Sequence, residues 1–416
     1  MLSCYRVLDL TDEKGAICGK ALADFGAEVI KVEKPGGDPA RFKGTFYQDK
    51  VDPEQNLDWF AFNVNKKGIT LDIETAEGKD IFKKLAALAD VVVESFKPGY
   101  LNSLGLGYPM LNDINPRIVL TSISGFGQEG PYRTFEDPDI VVRALGGLIY
   151  TVGYEDRAPL TCTYRHTQMI GSMYGTVGTL TALYHRATTG RGQHVDASAQ
   201  QAAAIVCSAE VEGPFALSGL ILSRHGSSRG SVKLQDGTVF YNTLLWPCRD
   251  GNIAFNLSLN QTAAKSNMAL VDSIQQDGID IGFLKDVNWG TITWSSLTLK
   301  QARELLSILG KFFFNHTKDE LLELAIKHRF QLNPCNTAED VLKHKQLAAR
   351  GFWKELEHPE LGRTLRYPGE AVKMTGKYIG PRHRAPHIGE NNVEIYQGLL
   401  KLSQDEMDGL KSRRII

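Results

Sequence analysis

An α/β fold on a mostly parallel sheet is predicted by three features of this 416-residue chain. Strand-like apolar runs alternate with helix-periodic segments through the first half. Several of these runs are apolar almost without interruption, as strands buried on both faces are. Near Ser223 the texture changes to hairpin and helix signals, which suggests a second, smaller α+β domain.

Tyr5 to Leu10 reads as the first strand, Gly15 to Phe25 as a helix, and Ala27 to Val32 as the second strand. Gly68 to Ile73 reads as a third. Thr75 then caps a helix through Leu88 whose Ile81, Phe82, Leu85 and Leu88 share one face. Asp90–Glu94 and Arg117–Ser122 are further strands. A long helix from about His166 to Ala187 and a strand at His194–Asp196 complete this half. Val239 to Leu257 looks like a hairpin turning at Asp250-Gly251. Thr317 with Glu320, and Ser403 with Glu406, have the spacing of capping boxes. From Ala338 the tail is helical, then loop-rich through Pro359, Pro368, Pro381 and Pro386.

A formal net charge of -1 gives no electrostatic reason to expect nucleic acid or an anionic membrane as partner. The six cysteines are scattered without a CxxC pair, which points to a reducing, cytoplasmic setting with neither disulfides nor zinc. Met1 leads directly into a strand, so no signal peptide is expected. The most apolar stretch, Met169 to Tyr184, is short for a bilayer crossing and contains Gly171, Gly175 and Gly178 on one helical face. A buried helix approached closely by another backbone accounts for it better.

Gly125 to Gly130 matches GxGxxG after a strand, but Pro131 and Tyr132 follow where a dinucleotide site needs a helix, so a plain turn is the better reading. The ten histidines show no ligand spacing, and no metal is expected. No nicotinamide or flavin site is expected either. Basic residues gather in loops after strands: Lys34 and Arg41 around PGGDP, Lys66 and Lys67, and Lys97 in SFKPG. In a doubly wound sheet such loops border the ligand crevice, and phosphates seek cations there. A solvated charged surface explains the same residues equally well.

Val7 to Arg41, Asn63 to Phe82, Asp90 to Gly107, Asn115 to Tyr132, Thr189 to Asp196 (TGRGQHVD), Ala349 to Gly369 and Pro386 to Leu402 together resemble the class III, formyl-CoA transferase-like, CoA transferases. The resemblance implies an interlocked dimer. It also implies a Rossmann-like large domain built from both chain ends, with 1–222 and 331–416 enclosing a small domain at 223–330. It implies coenzyme A, carried as an acyl-CoA substrate, near Lys34, Arg41, Leu71, Asp72, Glu74, Ser95, Phe96 and Lys97. Asp139 falls where relatives carry an active-site acidic residue.

One departure bears on mechanism. The family's aspartate nucleophile precedes TGRGQ by a fixed distance, and here that position is Gln168, or Thr167 with one gap. The aspartate attacks an acyl-CoA thioester, forms a mixed anhydride and becomes an aspartyl-CoA thioester; neither an amide nor a threonine hydroxyl can do this. The family's AGP-like turn is also replaced, by Lys14-Gly15-Ala16. The pattern implies a subunit lacking the nucleophile, paired with a homologous aspartate-bearing subunit, as in succinyl-CoA:(R)-benzylsuccinate CoA-transferase. The donor would be a small acyl-CoA such as succinyl-CoA and the acceptor a carboxylic acid. Two alternatives stay open: a self-sufficient homodimer using Asp139, Glu155 or Asp156, and a non-catalytic binder of CoA thioesters. An α-methylacyl-CoA racemase is disfavoured, because Pro138 and Thr167 or Gln168 stand where its acid and base would be. Nothing in the sequence activates Cys162, which reads as a packing residue, and His166 reads as a structural hydrogen-bonder.

Overall fold

The computed structural model of the chain describes residues 1–208, 211–221, 224, 226 and 228–416. The texture change at Ser223 lies outside the described residues. Two compact units are present. One comprises Met1–Leu148, Cys162–Leu220 and Lys345–Ile416, and the other Ile149–Thr161 and Ile221–His344.

The first unit is built on a six-stranded sheet: β1 (Arg6–Leu10), β2 (Glu28–Glu33), β3 (Lys67–Thr70), β4 (Val91–Glu94), β5 (Val119–Ser124) and β6 (His194–Ser198). Every neighbouring pair is parallel, in the doubly wound order β3-β2-β1-β4-β5-β6. Alternate residues of each strand serve opposite faces. Leu8, Ile30, Ile69, Val92 and Leu120 join one core, and Val7, Val29, Val91, Val93 and Val119 the other. Both sets are nearly inaccessible to solvent, which explains the uninterrupted apolar runs. The third strand ends earlier than Ile73, because the Asp72 N–H leaves the sheet to bond Ile415 O at 2.8 Å.

Helix α1 (Ala16–Asp24) places Cys18, Leu22 and Ala23 in the second core. Helix α2 (Ala76–Ala87) starts at Thr75, whose Oγ1 accepts from Gly78 N, and places Ile81, Phe82 and Leu85 in the first core. The chain terminus closes that same core with Tyr396, Met407, Leu410, Ile415 and Ile416. Helix α3 (Asp139–Leu145), helix α4 (His166–Thr189) and helix α5 (Ala199–Cys207) complete the elements needed for the site.

Helix α4 is buried on the face that carries its glycines and exposed on the opposite one. A Cβ at Gly171 would lie 2.9 Å from Ala199 Cα, at Gly175 2.9 Å from Ile123 Cδ1, and at Gly178 2.6 Å from Val195 Cγ1. The small residues thus seat α4 on β5, β6 and the start of α5, while Met173, Val177 and Tyr184 lie exposed on this chain. No helix among the described residues is long and apolar enough to cross a membrane.

Between residues 353 and 368 the structure replaces an expected loop with a hairpin, Trp353–His358 against Arg363–Pro368. Its Leu356 and Tyr367 pack with Trp59, Phe60 and Val64. Only these two and His358 are buried, and Pro359 marks the bend between the strands, so the apolar alternation was too sparse to read.

The second unit holds an antiparallel three-stranded sheet with Gly251–Phe255 central between Leu245–Cys248 and Leu332–Pro334. The hairpin turn is one residue earlier than expected. Cys248 pairs with Gly251, leaving Arg249 and Asp250 in the turn, where Asp250 Oδ1 accepts from Lys318 N at 2.8 Å. Val239–Thr243 pairs instead with Ser228–Lys233. The capping boxes at Thr317/Glu320 and, in the first unit, Ser403/Glu406 are both formed.

Charged residues cluster at the C-terminal strand ends of the first unit. Asp9 is fully buried; its Oδ2 lies 2.7 Å from Lys66 Nζ and its Oδ1 accepts from Thr11 N and Oγ1. Burial alone would raise its carboxyl, but Lys66 and Lys31 outweigh that and hold it below the usual range. Gly19 is required here, since a Cβ would fall 2.0 Å from Asp9 Oδ2.

Glu94, at the end of β4, has no cationic partner within salt-bridge distance among the described residues, and burial pushes it up to about 7 despite hydrogen bonds from Ser122 and Phe96 N. Its folded state binds a proton more tightly than the unfolded chain does. The associated stability is therefore complete below about pH 4.5 and is lost as pH rises through about 7. Urea unfolding at mildly acidic and mildly alkaline pH should show Glu94→Gln gaining on the parent by on the order of 3 kcal/mol across that range. Parallel pH profiles for parent and variant would show that Glu94 is not the titrating group.

Candidate active site

The crevice beyond the strand ends is shaped by a buried guanidinium. Arg41 is wholly inaccessible and stacks 3.8 Å over the Trp59 ring. Its Nε and Nη2 bond the two oxygens of Glu33 at 2.6 and 2.9 Å, Nη2 also reaches Pro386 O, and Nη1 bonds Glu54 and Pro53 O. Every N–H of the guanidinium is thus accepted. The expected contact from Arg41 to a phosphate is not open, because the side chain sits inside the fold. It fixes the Lys34–Asp38 turn instead, with Asp38 N donating to Glu33 Oε2.

The other residues expected near coenzyme A divide into two groups. Lys34, Glu74, Phe96 and Lys97 lie at the loops after β2, β3 and β4, joined there by Tyr100, which the sequence reading did not name. Lys34 Nζ lies 2.8 Å from Glu74, Glu74 also accepts from Tyr100 Oη, and the Phe96 and Tyr100 rings stand 4.8 Å apart. Lys97 reaches Glu136. Lys34, Glu74 and Lys97 are exposed, whereas Phe96 and Tyr100 are half-buried against the first core. Leu71 and Ser95 are buried, and Asp72 is engaged locally through Glu74 N. Ser95 bonds Asp12 through Oγ, 2.7 Å from Asp12 Oδ1.

The second locus gathers around Asp137, which the sequence did not single out. Its Oδ2 accepts from Gly125 N at 2.8 Å, its Oδ1 lies 3.4 Å from Lys14 Nζ, and its carbonyl accepts from Gln168 Nε2 at 3.3 Å. Lys14 and Gln168, where the sequence reading expected departures from the family pattern, therefore meet at one residue. Burial opposes the charge on Lys14, but Asp12 and Asp137 outweigh it and hold the ammonium above its ordinary range. The turn at Gly125–Gly130 has no following helix; Gly127 and Gly130 both adopt positive φ, as in a plain turn.

Gln168 is 7% exposed, in the first turn of α4. Its backbone N–H donates to Asp139 Oδ1 at 2.9 Å, and its buried Oε1 has no partner among the described residues. Thr167 is fully buried, with its hydroxyl 3.4 Å from Arg143 Nε. Asp139 is occupied on both oxygens, by Gln168 N and by the Arg143 guanidinium. Of the other carboxylates considered as replacements, Glu155 and Asp156 belong to the second unit, where both are exposed and Asp156 pairs with Arg157. No cluster of three potential metal ligands occurs among the described residues.

Cys162 is not a packing residue: it is exposed, and its Sγ lies 2.8 Å from His166 Nδ1 and 3.1 Å from Arg143 Nη1. The sequence hinted at this only through the four-residue spacing of Cys162 and His166, and Arg143 enters from another helix.

The CoA-transferase family III model matches residues 2–392. The succinyl-CoA:(R)-benzylsuccinate CoA-transferase subunit BbsE of Thauera aromatica is 30% identical over 397 residues, 94% of this chain and 93% of its own. The succinyl-CoA–L-malate CoA-transferase beta subunit of Chloroflexus aurantiacus is 29% identical, covering 100% and 98%. Formyl-CoA:oxalate CoA-transferase of Streptomyces avermitilis is 30% identical, covering 100% and 99%. The crystal structure of a CAIB/BAIF family protein from Brucella suis superposes with a TM-score of 0.81 at 26% identity, over 96% of this chain and 99% of that one. With a parallel sheet, a crevice of loop cations and relatives matched along nearly their whole length, the chain belongs to CoA-transferase family III and is a CoA transferase.

Proposed function

We propose that this chain is the subunit of a heteromeric class III CoA transferase that does not supply the acylated carboxylate. The observation that carries the reading is Gln168, an amide at the nucleophile position, tied down by Asp137 O and Asp139. A carboxylate can be acylated and can leave again; an amide oxygen is a poor nucleophile on both counts. Asp139 is a poor substitute, since Arg143 and the Gln168 N–H already bind both its oxygens. A homologous subunit would contribute the aspartate that takes CoA from the donor and passes it to the acceptor acid. Relatives named as subunits of succinyl-CoA-dependent transferases support this, and succinyl-CoA is the donor we favour. The exposed apolar residues Met173, Val177 and Tyr184 on α4 support assembly with a second chain, in the family's interlocked manner.

Within this subunit, Lys34 and Lys97 would meet the CoA phosphates, and Phe96 and Tyr100 would face its adenine. Arg41 is assigned to holding the loop rather than to phosphate contact. Domain limits near residues 222 and 331 belong to the same proposal.

The test is CoA exchange from succinyl-CoA to a panel of carboxylic acids, by the chain alone and co-expressed with an aspartate-bearing homologue. Activity confined to the mixture, together with a heteromeric native mass, is expected. Full activity of the pure homo-oligomer would sink the reading. Gln168→Asp should give the isolated chain measurable exchange; none at all would mean that the Lys14–Asp137 surroundings no longer accept a nucleophile there. Lys34→Ala and Lys97→Ala should each weaken binding of a non-hydrolysable CoA thioether by about tenfold, or about 1.4 kcal/mol. Arg41→Lys should instead lower stability by about 3 kcal/mol in urea unfolding, because it leaves Glu33 buried without its bidentate partner.

A further inference from the structure

Cys162, His166 and Arg143 form a cluster that the proposed exchange reaction does not use. Arg143 is 4% exposed and lies on α3; its guanidinium binds the carbonyls of Cys162 and Tyr164 and so folds the turn that leads into α4. That fold sets Sγ 2.8 Å from His166 Nδ1, with a guanidinium N–H 3.1 Å away. Both Cys162 and His166 are exposed, so a reagent in solution can reach the sulfur. The same guanidinium binds Asp139, which accepts from Gln168 N, and this links the thiol by a continuous path to the position where the family keeps its nucleophile.

Cys18, Cys207 and Cys248 are buried, and burial pushes the Cys18 thiol up to about 12. An attacking sulfur needs a base for its proton and a donor for the charge that develops on it. At Cys162 both are within hydrogen-bond reach.

We propose that Cys162 is a nucleophilic thiol that accepts the acyl group of an acyl-CoA by thioester exchange, with His166 as base and Arg143 as donor to the sulfur. Sγ attacks the thioester carbonyl carbon while its proton passes to His166 Nδ1. The carbon–sulfur bond to CoA then breaks, and the departing CoA sulfur takes the proton from His166. One carbon–sulfur bond forms and one breaks, giving S-acyl-Cys162 and free CoA. Thioester replaces thioester, so no oxidant or energy source is required. The chain thereby gains an acyl-holding activity beside CoA transfer to carboxylates.

The test uses the full-length chain alone with succinyl-CoA, read by intact-mass and peptide mass spectrometry and by release of CoA thiol. One acyl group per chain, mapped to Cys162 and matched by released CoA, is expected. Cys162→Ser should abolish the adduct. His166→Gln should slow acylation by about 100-fold while its thermal midpoint stays at the parent value. Iodoacetamide should modify Cys162 faster than the exposed Cys4 in the parent, and this advantage should disappear in His166→Gln. Absence of the adduct, an adduct at Cys4 or Cys335, or unchanged acylation in His166→Gln would overturn the proposal. The inference relies on acyl-CoA chemistry but not on the heteromeric reading. Exchange is scored on the acceptor's CoA ester in the mixture and acylation on the isolated chain, so either can fail alone.

Discussion

The ion pair between Arg41 and Glu33 is the constraint on which the site depends. Taking both charges out of water costs several kcal/mol for each ion, and the cost is offset only when every donor and acceptor is satisfied. Here the guanidinium is satisfied by Glu33, Glu54 and two backbone carbonyls, and its face is covered by Trp59. One of those carbonyls, Pro386 O, comes from 345 residues further along the chain. The pair thus joins the end of β2, the loop bearing Lys34, the helix Leu57–Phe62 and the return segment. The Trp59 indole N–H reaches Pro386 O as well, at 3.2 Å, so the junction has a second fastening. A rigid floor of this kind lets neighbouring lysines stay exposed at fixed positions.

A second constraint operates at Asp137. Its carboxylate and carbonyl hold together the turn after β5, the Lys14 loop and the first turn of α4. Lys14 and Gln168 meet this residue in complementary ways: the Gln168 side-chain amide donates to the Asp137 carbonyl, and Lys14 takes up its free carboxylate oxygen. Beside this junction, Arg143 binds both Asp139 and the exposed Cys162, whose Sγ also meets His166.

Much of the fold was legible because it follows from local pattern. Strands buried on both faces must be apolar throughout, and the caps at Thr75, Thr317 and Ser403 need only residues three positions apart. The hairpin at 353–368 was missed because only Leu356, His358 and Tyr367 of its two strands are buried. The turn at Arg249-Asp250 was shifted because the Asp250 side chain is taken by Lys318 N, a partner 68 residues away. Within the site, the residue types were readable. Whether a basic residue points to solvent or into the fold was not, and Arg41 and Lys97 look alike in sequence while standing at opposite extremes of exposure.

The sequence by itself determined the α/β class, the order of strands and helices, the family, and the absence of a carboxylate at residue 168, since each is a property of residue type and spacing. Tertiary structure alone decided that the Arg41 guanidinium is buried and fully paired, that Asp137 couples Lys14 to Gln168, and that Arg143 and His166 converge on Cys162. Those outcomes depend on groups brought together across tens to hundreds of residues. The burial and partners that set a side chain's chemistry come from that convergence, which no local pattern encodes.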